Sequence, residues 1–287
     1  MSVCAGIILY NPDIKRLTQC IEAIEHQVAS LVLVDNASDN ISEVEEILAG
    51  SSFVLIKNDS NHGIAYALNQ LVAHASDNGF EWIVTLDQDS ICCESLVSKQ
   101  LAAIENQEKI AMASPVIIDR GISELEEKND EKLPEIEDVT FCITSGCLTN
   151  VSAVQSIGGF NEWLFIDEVD REVSLRLLRA GYRLVRVNTV ELQHEYGLKT
   201  VTRRILWKKV VYRNYSPFHV YYQTRNLVYM LRKYGSEYVP VPFLRWFRMF
   251  FATCLKLIFE PDRLRRLKAF KKGLTEGLAV KIDKNER

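Results

Sequence analysis

Trp82-Ile83-Val84-Thr85-Leu86-Asp87-Gln88-Asp89-Ser90 joins an apolar run directly to two acids separated by one residue. Trp82–Leu86 reads as a buried strand. An acid pair at a strand end suits a core poorly, but it suits an oxygen-ligating divalent cation. Mg²⁺ or Mn²⁺ takes one or two carboxylates and fills its other positions with water and substrate phosphates. The same residues also read as an acidic strand-to-helix turn capping Ser90 onward, so the neighbouring sequence has to decide.

Working outward, apolar strand-like runs at Val3–Leu9, Leu31–Val34, Phe53–Lys57 and Ile110–Ile118 alternate with helical patterns. The helical stretches are Ile14–His26, Ser42–Ala49, Ile64–Asn78 and Ser95–Asn106. Leu17, Cys20, Ile21 and Ile24 carry the 3.6-residue period, as do Ala67, Leu68, Leu71 and Val72. Strand–helix alternation with short loops predicts right-handed βαβ units and a mostly parallel, Rossmann-like α/β sheet flanked by helices. Ligands of such sheets bind beyond the carboxyl ends of the strands. Further on, 119–138 reads as a charged solvated loop, and Val139–Ile143 and Arg183–Val187 as strands, with Gly181 closing the helix between them.

The chain has 287 residues, 47% hydrophobic and 25% charged, as in an ordinary globular protein. Seven cysteines without a CxxC pair read as reduced core residues of a cytoplasmic protein. The opening run lacks the basic flank of a signal peptide, and no uncharged apolar stretch approaches the roughly 18 residues of a spanning helix. A net charge of −4 hides a split. Residues 199–287 hold 21 Lys+Arg against 6 Asp+Glu, a net of +15, which leaves −19 on residues 1–198. The expected division is therefore 1–198, catalytic, and 199–287, a helical basic appendage facing a polyanion.

Four strand-end clusters converge on one crevice if the sheet is wound this way. Asp35-Asn36-Ala37-Ser38 offers a carboxylate to a base N–H or ribose hydroxyl, or else caps the helix from Ser42. In Asn61-His62-Gly63-Ile64-Ala65, with Asn69 following, Gly63 would admit a ligand to a helix N-terminus, where amides favour anions. Asp87 and Asp89 form the third cluster. Phe165-Ile166-Asp167-Glu168-Val169-Asp170-Arg171-Glu172 is the fourth. There Asp170, at a helix start, meets the need of a general base for a carboxylate on a rigid element. Glu172 and Arg176 are spaced to pair along that helix.

Taken in order, these motifs resemble the inverting, metal-dependent glycosyltransferases of the large GT-A family 2 type. The strand Ala5–Leu9 with Asn11, Asp35–Ser38, Asn61–Ala65 with Asn69, Asp87–Asp89, Gly158–Glu162, Val169-Asp170 with Leu175-Arg176, and Ala180–Tyr182 carry the likeness, over about residues 3–187. The resemblance implies that Asp35 binds base or ribose, Asp87 ribose or metal, and Asp89 the cation on the diphosphate. It implies Asp170 as the base, with Asp167 and Glu168 in reserve because Val169 replaces the usual Glu. His194 stands where some members have a metal-binding histidine. Leu164–Asp167, Glu172, His194 with Gly197, and Tyr221-Tyr222 through Arg225-Asn226 to Arg232–Tyr234 are similar to bacterial rhamnosyltransferases of O-antigen or capsule synthesis. That implies a dTDP-L-rhamnose donor and a lipid-linked or oligosaccharide acceptor. The alternatives are a UDP-galactose or UDP-glucose donor, or a sugar-nucleotide-binding protein without transferase activity.

The tail does not resemble a nucleic-acid binder, and no nucleic acid is expected as a partner. In Pro242–Phe259 aromatic and aliphatic residues cover most of a helix, leaving Arg245, Arg248 and Lys256 on a narrow stripe with Ala252. Arg263–Lys272 is densely basic, with Leu264, Leu267 and Phe270 on a common side. Both patterns suit a peripheral helix on the anionic cytoplasmic face of the inner membrane; the alternative is that the first helix packs on the catalytic domain and the second is a solvated face.

Overall fold

The computed structural model describes residues 2–119, 134–194, 200–205, 208–213, 216–237 and 262–282. The chain divides into two compact units, Met1–Phe165 with Val169–Tyr196, and Ile166–Glu168 with Gly197–Arg287.

The first unit is built on a nine-stranded sheet. Strands β1 (Val3–Leu9), β2 (Ser30–Asp35), β3 (Val54–Lys57) and β4 (Trp82–Asp87) run parallel in the order β3-β2-β1-β4. Their crossovers are α1 (Ile14–Ile24), α2 (Ile41–Leu48) and α3 (Ile64–Asp77). Asp13 caps α1 by accepting the Arg16 N–H, and the periodic Leu17, Cys20, Ile21 and Ile24 are all buried. On α3 the buried stripe holds Ala67, Leu68, Leu71 and Val72, as the spacing predicts. Each such Leu or Ile contributes about 1.5–3 kcal/mol by leaving water.

Beyond β4 the sheet becomes mixed. The order continues through β8 (Cys147–Asn150), β6 (Ile110–Asp119), β9 (Arg183–His194) and β5 (Ile91–Cys92), with β7 (Ile136–Asp138) on β9. Strand β8 is antiparallel to β4 and β6, and β5 and β7 are antiparallel to β9. Helices α4 (Leu96–Ile104), α5 (Val151–Ser156) and α6 (Val169–Arg179) complete the unit.

Several expectations are corrected. Val139–Ile143 is not a strand: Cys142 is buried, but its N–H goes to Ser174 Oγ at 3.3 Å rather than to a ladder. Part of the charged stretch is strand instead, because Glu137 and Asp138 on β7 pair with Arg186 and Arg183 on β9; residues 120–133 lie outside the described residues. Strand β9 runs on to His194 because an irregularity at Pro115/Val116 restarts its pairing with β6.

The second unit contains a β-ribbon where only helix was expected. Strands β10 (Thr200–Ile205) and β11 (Lys208–Arg213) pair antiparallel, followed by α7 (Pro217–Tyr234) and α8 (Arg263–Ala279). Ser216 caps α7 through the His219 N–H, with Pro217 at the first helical position. The two helices cross backbone to backbone: a Cβ on Gly273 would meet Tyr221 O at 2.5 Å, and one on Gly277 would meet Arg225 O at 2.6 Å. This crossing sets the buried face of α8 at Arg266, Gly273 and Gly277, and leaves Leu264 70% and Leu278 57% exposed. Leu264 therefore does not share the half-buried side of Leu267 and Phe270. Asn226 is fully buried and donates from Nδ2 to Ile166 O (2.7 Å) and Asp167 O (2.9 Å). The expected helix at 242–259 lies outside the described residues. No helix among the described residues is long and apolar enough to cross a membrane.

Candidate active site

Strand β1 lies between β2 and β4, and its register sets Leu9 beside Asp35 and Ile8 beside Asp87. Asp35 and Asp87 thus end strands two apart on one sheet edge, about 10 Å from each other. Asp35 is buried. Its Oδ2 accepts the Ser38 N–H at 3.0 Å, whereas Oδ1 is buried without a partner. A buried oxygen left this way costs about 1–3 kcal/mol, which a ligand N–H or O–H would recover.

The other candidate nucleotide contacts, Asn36, Asn61, Gly63 and Asn69, all bond within the protein. Asn36 donates from Nδ2 to Gly63 O (3.3 Å) and accepts from Asn58 Nδ2 (2.9 Å). Asn61 Oδ1 accepts the Gly63 N–H at 2.9 Å. Asn69 holds both polar groups of Phe160, accepting its N–H at 2.7 Å and donating to its carbonyl at 3.0 Å, and also donates to Glu162. Gly63, at φ +91°, is required by the packing itself. A Cβ there would lie 2.6 Å from Phe165 O, and that oxygen takes the Ile64 N–H at 2.6 Å. The first amide of α3 is already spent on the protein.

Asp87 and Asp89 are half-buried at the end of β4. The Asp87 N–H goes to Ser145 Oγ (3.1 Å), and Arg16 Nε donates to Asp89 O (2.9 Å). A cleft of about 350 Å³ opens here, lined by Asp13, Arg16, Gln88 and Asp89. Arg16 keeps a buried Nη2 without a partner, an N–H donor suited to an anion. Gln88 ties down the end of β1, accepting the Tyr10 N–H at 2.8 Å and donating to Tyr10 O at 3.3 Å. The Tyr10 side chain is left 50% exposed beside the Asp35 and Asp87 strand ends. Beneath them, burial first, and then the charges of Cys92, Asp87 and Asp89, push the Cys20 thiol far above its ordinary range. No group of three His, Cys, Asp or Glu side chains gathers around a metal position among the described residues. Two carboxylates alone fit a cation that completes its shell with water and phosphate. His194 ends β9 opposite Asp119, and its side chain lies outside the described residues.

Asp170 is the second residue of α6, where the helix dipole favours a carboxylate. Thr144 Oγ1 donates to Asp170 Oδ1 at 2.9 Å. The helix is fixed from its other face. Glu172, 1% exposed, pairs with Arg176 at 2.7 Å, and Arg176 donates to Ile157 O and Gly159 O, both at 2.7 Å. Asp167 and Glu168 precede the helix, with φ +64° and +65°, and Glu168 is buried. They do not share the helical platform of Asp170.

Arg16, Tyr10, Gln88, Thr144 and Ser145 are the residues that motif reading passes over. Tyr10, directly after the first strand, and Gln88, between Asp87 and Asp89, carry a signal in their position.

Residues 4–157 match the family described as Glycosyl transferase family 2, and residues 82–261 match Glycosyl transferase family group 2. The dTDP-rhamnosyl transferase RfbF of Shigella flexneri is 30% identical over 262 residues, 84% of this chain and 82% of that protein. The galactofuranosyltransferase GlfT1 of Mycobacterium tuberculosis is 26% identical over 263 residues, 83% of this chain and 84% of that one. Among solved structures, GalNAc-T7 with UDP, GalNAc and Mn²⁺ superposes with a TM-score of 0.61 at 13% identity, over 96% of this chain and 56% of that one. The last likeness establishes the GT-A fold.

Proposed function

This chain belongs to glycosyl transferase family 2, and we propose that it moves L-rhamnose from dTDP-L-rhamnose to a hydroxyl of a lipid-linked or polysaccharide acceptor. The product belongs to a cell-surface glycan such as O-antigen or capsule. The observation that carries this reading is the set of acids on one sheet edge, with Asp35 keeping a buried oxygen for a ligand donor. The similarity to RfbF supports the donor. A UDP-hexose donor is the second reading, favoured by the likeness to a galactofuranosyltransferase.

In this scheme Asp35 accepts from the base or ribose, and the exposed Tyr10 ring offers the base a stacking face. Asp89 and Asp87, with His194 as a third side chain, would hold Mg²⁺ or Mn²⁺; the neighbour solved with Mn²⁺ and UDP supports that choice. When bound, the cation offsets negative charge developing on the departing diphosphate. Arg16 adds an N–H to the same anion. Asp170 takes the proton from the acceptor hydroxyl as that oxygen attacks the anomeric carbon. The bond to the diphosphate breaks as the new C–O bond forms, so configuration inverts and no protein nucleophile is required. Residues 1–198 would form the catalytic domain. The basic region 199–287 would rest on the anionic inner-membrane surface, supported by exposed Leu264, Lys268, Lys271 and Leu278 on α8.

Thermal unfolding with dTDP, dTDP-L-rhamnose and UDP-hexoses, with and without Mn²⁺, tests the reading. Metal-dependent stabilisation is expected, about 2.7 kcal/mol at one hundred times the dissociation constant and greatest for the dTDP compounds. Absence of stabilisation by any nucleotide would overturn it.

A further inference from the structure

The turn Thr144-Ser145-Gly146 is tied down at three of its six backbone polar groups. Thr85 Oγ1 donates to Thr144 O at 2.7 Å, and the Cys147 N–H reaches the same oxygen at 3.1 Å. The Gly146 N–H goes to Thr85 O at 2.7 Å. Gln100 is fully buried on α4 and donates to Gly146 O and to Ala113 O, both at 2.9 Å. Gly146 has φ +71°, and a Cβ there would stand 2.9 Å from Leu192 Cδ2, so the chain turns here only with glycine.

On this fixed backbone, two consecutive hydroxyls reach different parts of the site. Ser145 Oγ accepts the Asp87 N–H at 3.1 Å and pairs with Ser90 Oγ at 2.8 Å. Thr144 Oγ1 donates to Asp170 Oδ1 at 2.9 Å. Thr144 is β-branched and buried, so its χ1 is restricted and its hydroxyl does not wander.

We propose that Thr144 is a positioning residue for sugar transfer, fixing the rotation of the Asp170 carboxylate while Ser145 registers the same turn against the strand end bearing Asp87. The proposal rests on the reading of Asp170 as the base. A base must stand within hydrogen-bond reach of the proton it removes, and a 1 Å misplacement costs about 10²-fold in rate. Thr144 Oγ1 fixes one of the two Asp170 carboxylate oxygens on the first turn of α6. With it, the base and the nucleotide-side strand share one rigid reference.

The test is nucleoside-diphosphate release by the full chain from the nucleotide sugar it turns over, dTDP-L-rhamnose first, with Mn²⁺ and with water in place of the acceptor. Thr144→Val should lower kcat about 10-fold or more while leaving the donor KM within about 2-fold. Thr144→Ser, which keeps the hydroxyl, should restore most of the rate. In an Asp170→Asn background, Thr144→Val should cause no further loss, because both changes act through one carboxylate. Nucleotide-dependent stabilisation of each variant reports that it is folded. An Asp170→Asn chain with undiminished turnover sinks the base assignment. A slow Asp170→Asn beside an unimpaired Thr144→Val sinks the Thr144 proposal alone, as does a full additive loss in the double variant.

Discussion

The parallel half of the sheet and its mixed half present their acids by different means. In β3-β2-β1-β4, Asp35 and Asp87 are the last residues of their strands, so ladder register alone sets where they stand. In the mixed half Asp170 lies on no strand. It stands one residue into a helix, after a stretch with positive φ at Phe165, Asp167 and Glu168, and meets a threonine 26 positions earlier in the chain. The parallel half thus sets its carboxylates by ladder register, and the mixed half holds one through a long-range side-chain bond. On this division, damage to Asp35 or Asp89 should appear in binding, and damage to Asp170 in turnover.

The largest expected effect is on turnover. Asp170→Asn should lower kcat about 10²- to 10⁴-fold with donor binding nearly unchanged, measured as nucleoside-diphosphate release at saturating donor. A loss confined to KM would break the division. Asp89→Ala should remove the metal-dependent part of dTDP stabilisation, read by thermal unfolding with Mn²⁺ or with EDTA. Equal stabilisation in both would take Asp89 out of the metal site. Asp35→Ala should weaken the donor by about 1.5–3 kcal/mol, the loss expected for a hydrogen bond to a charged group, and leave kcat in place. Titration calorimetry with dTDP checks this, and unchanged affinity would show that the orphaned oxygen serves no ligand.

Gly63→Ala probes the packing between the α3 N-terminus and Phe165. Its positive φ and the 2.6 Å approach to Phe165 O should cost about 1–3 kcal/mol in denaturant unfolding, with donor affinity falling less than for Asp35→Ala. A smaller expected effect concerns thiols. Burial pushes Cys4 up to about 12 and Cys92 up to about 11. Since the thiolate is the reactive form and appears only as pH rises through these values, iodoacetamide at pH 8 should leave both unmodified in the native chain while the more exposed Cys93 reacts. Mass spectrometry of the alkylated protein decides.

What was legible in the sequence follows the same division. Strand–helix alternation located β1 to β4 and their helices to within a few residues, and strand ends pointed to Asp35, Asp87 and Asp89. These positions depend on local periodicity, which a single chain displays. The mixed half was misread at Val139–Ile143 because apolar content there reflects packing without ladder pairing. The bonds of Asn69 to Phe160 and the packing of Gly63 on Phe165 span about a hundred residues, which local periodicity does not show. Thr144, Ser145 and Arg16 were passed over for the same reason: each acts through a bond spanning 26 to 73 positions that no local pattern announces.

Release of dTDP from dTDP-L-rhamnose by the wild-type chain, followed with Mn²⁺ and again after chelation by EDTA, is the most direct test of transfer at this sheet edge. The expected result is release that requires the metal, exceeds that from UDP-hexoses, and is lost with Asp170→Asn. Release from no nucleotide sugar, or release indifferent to both EDTA and Asp170→Asn, would contradict it.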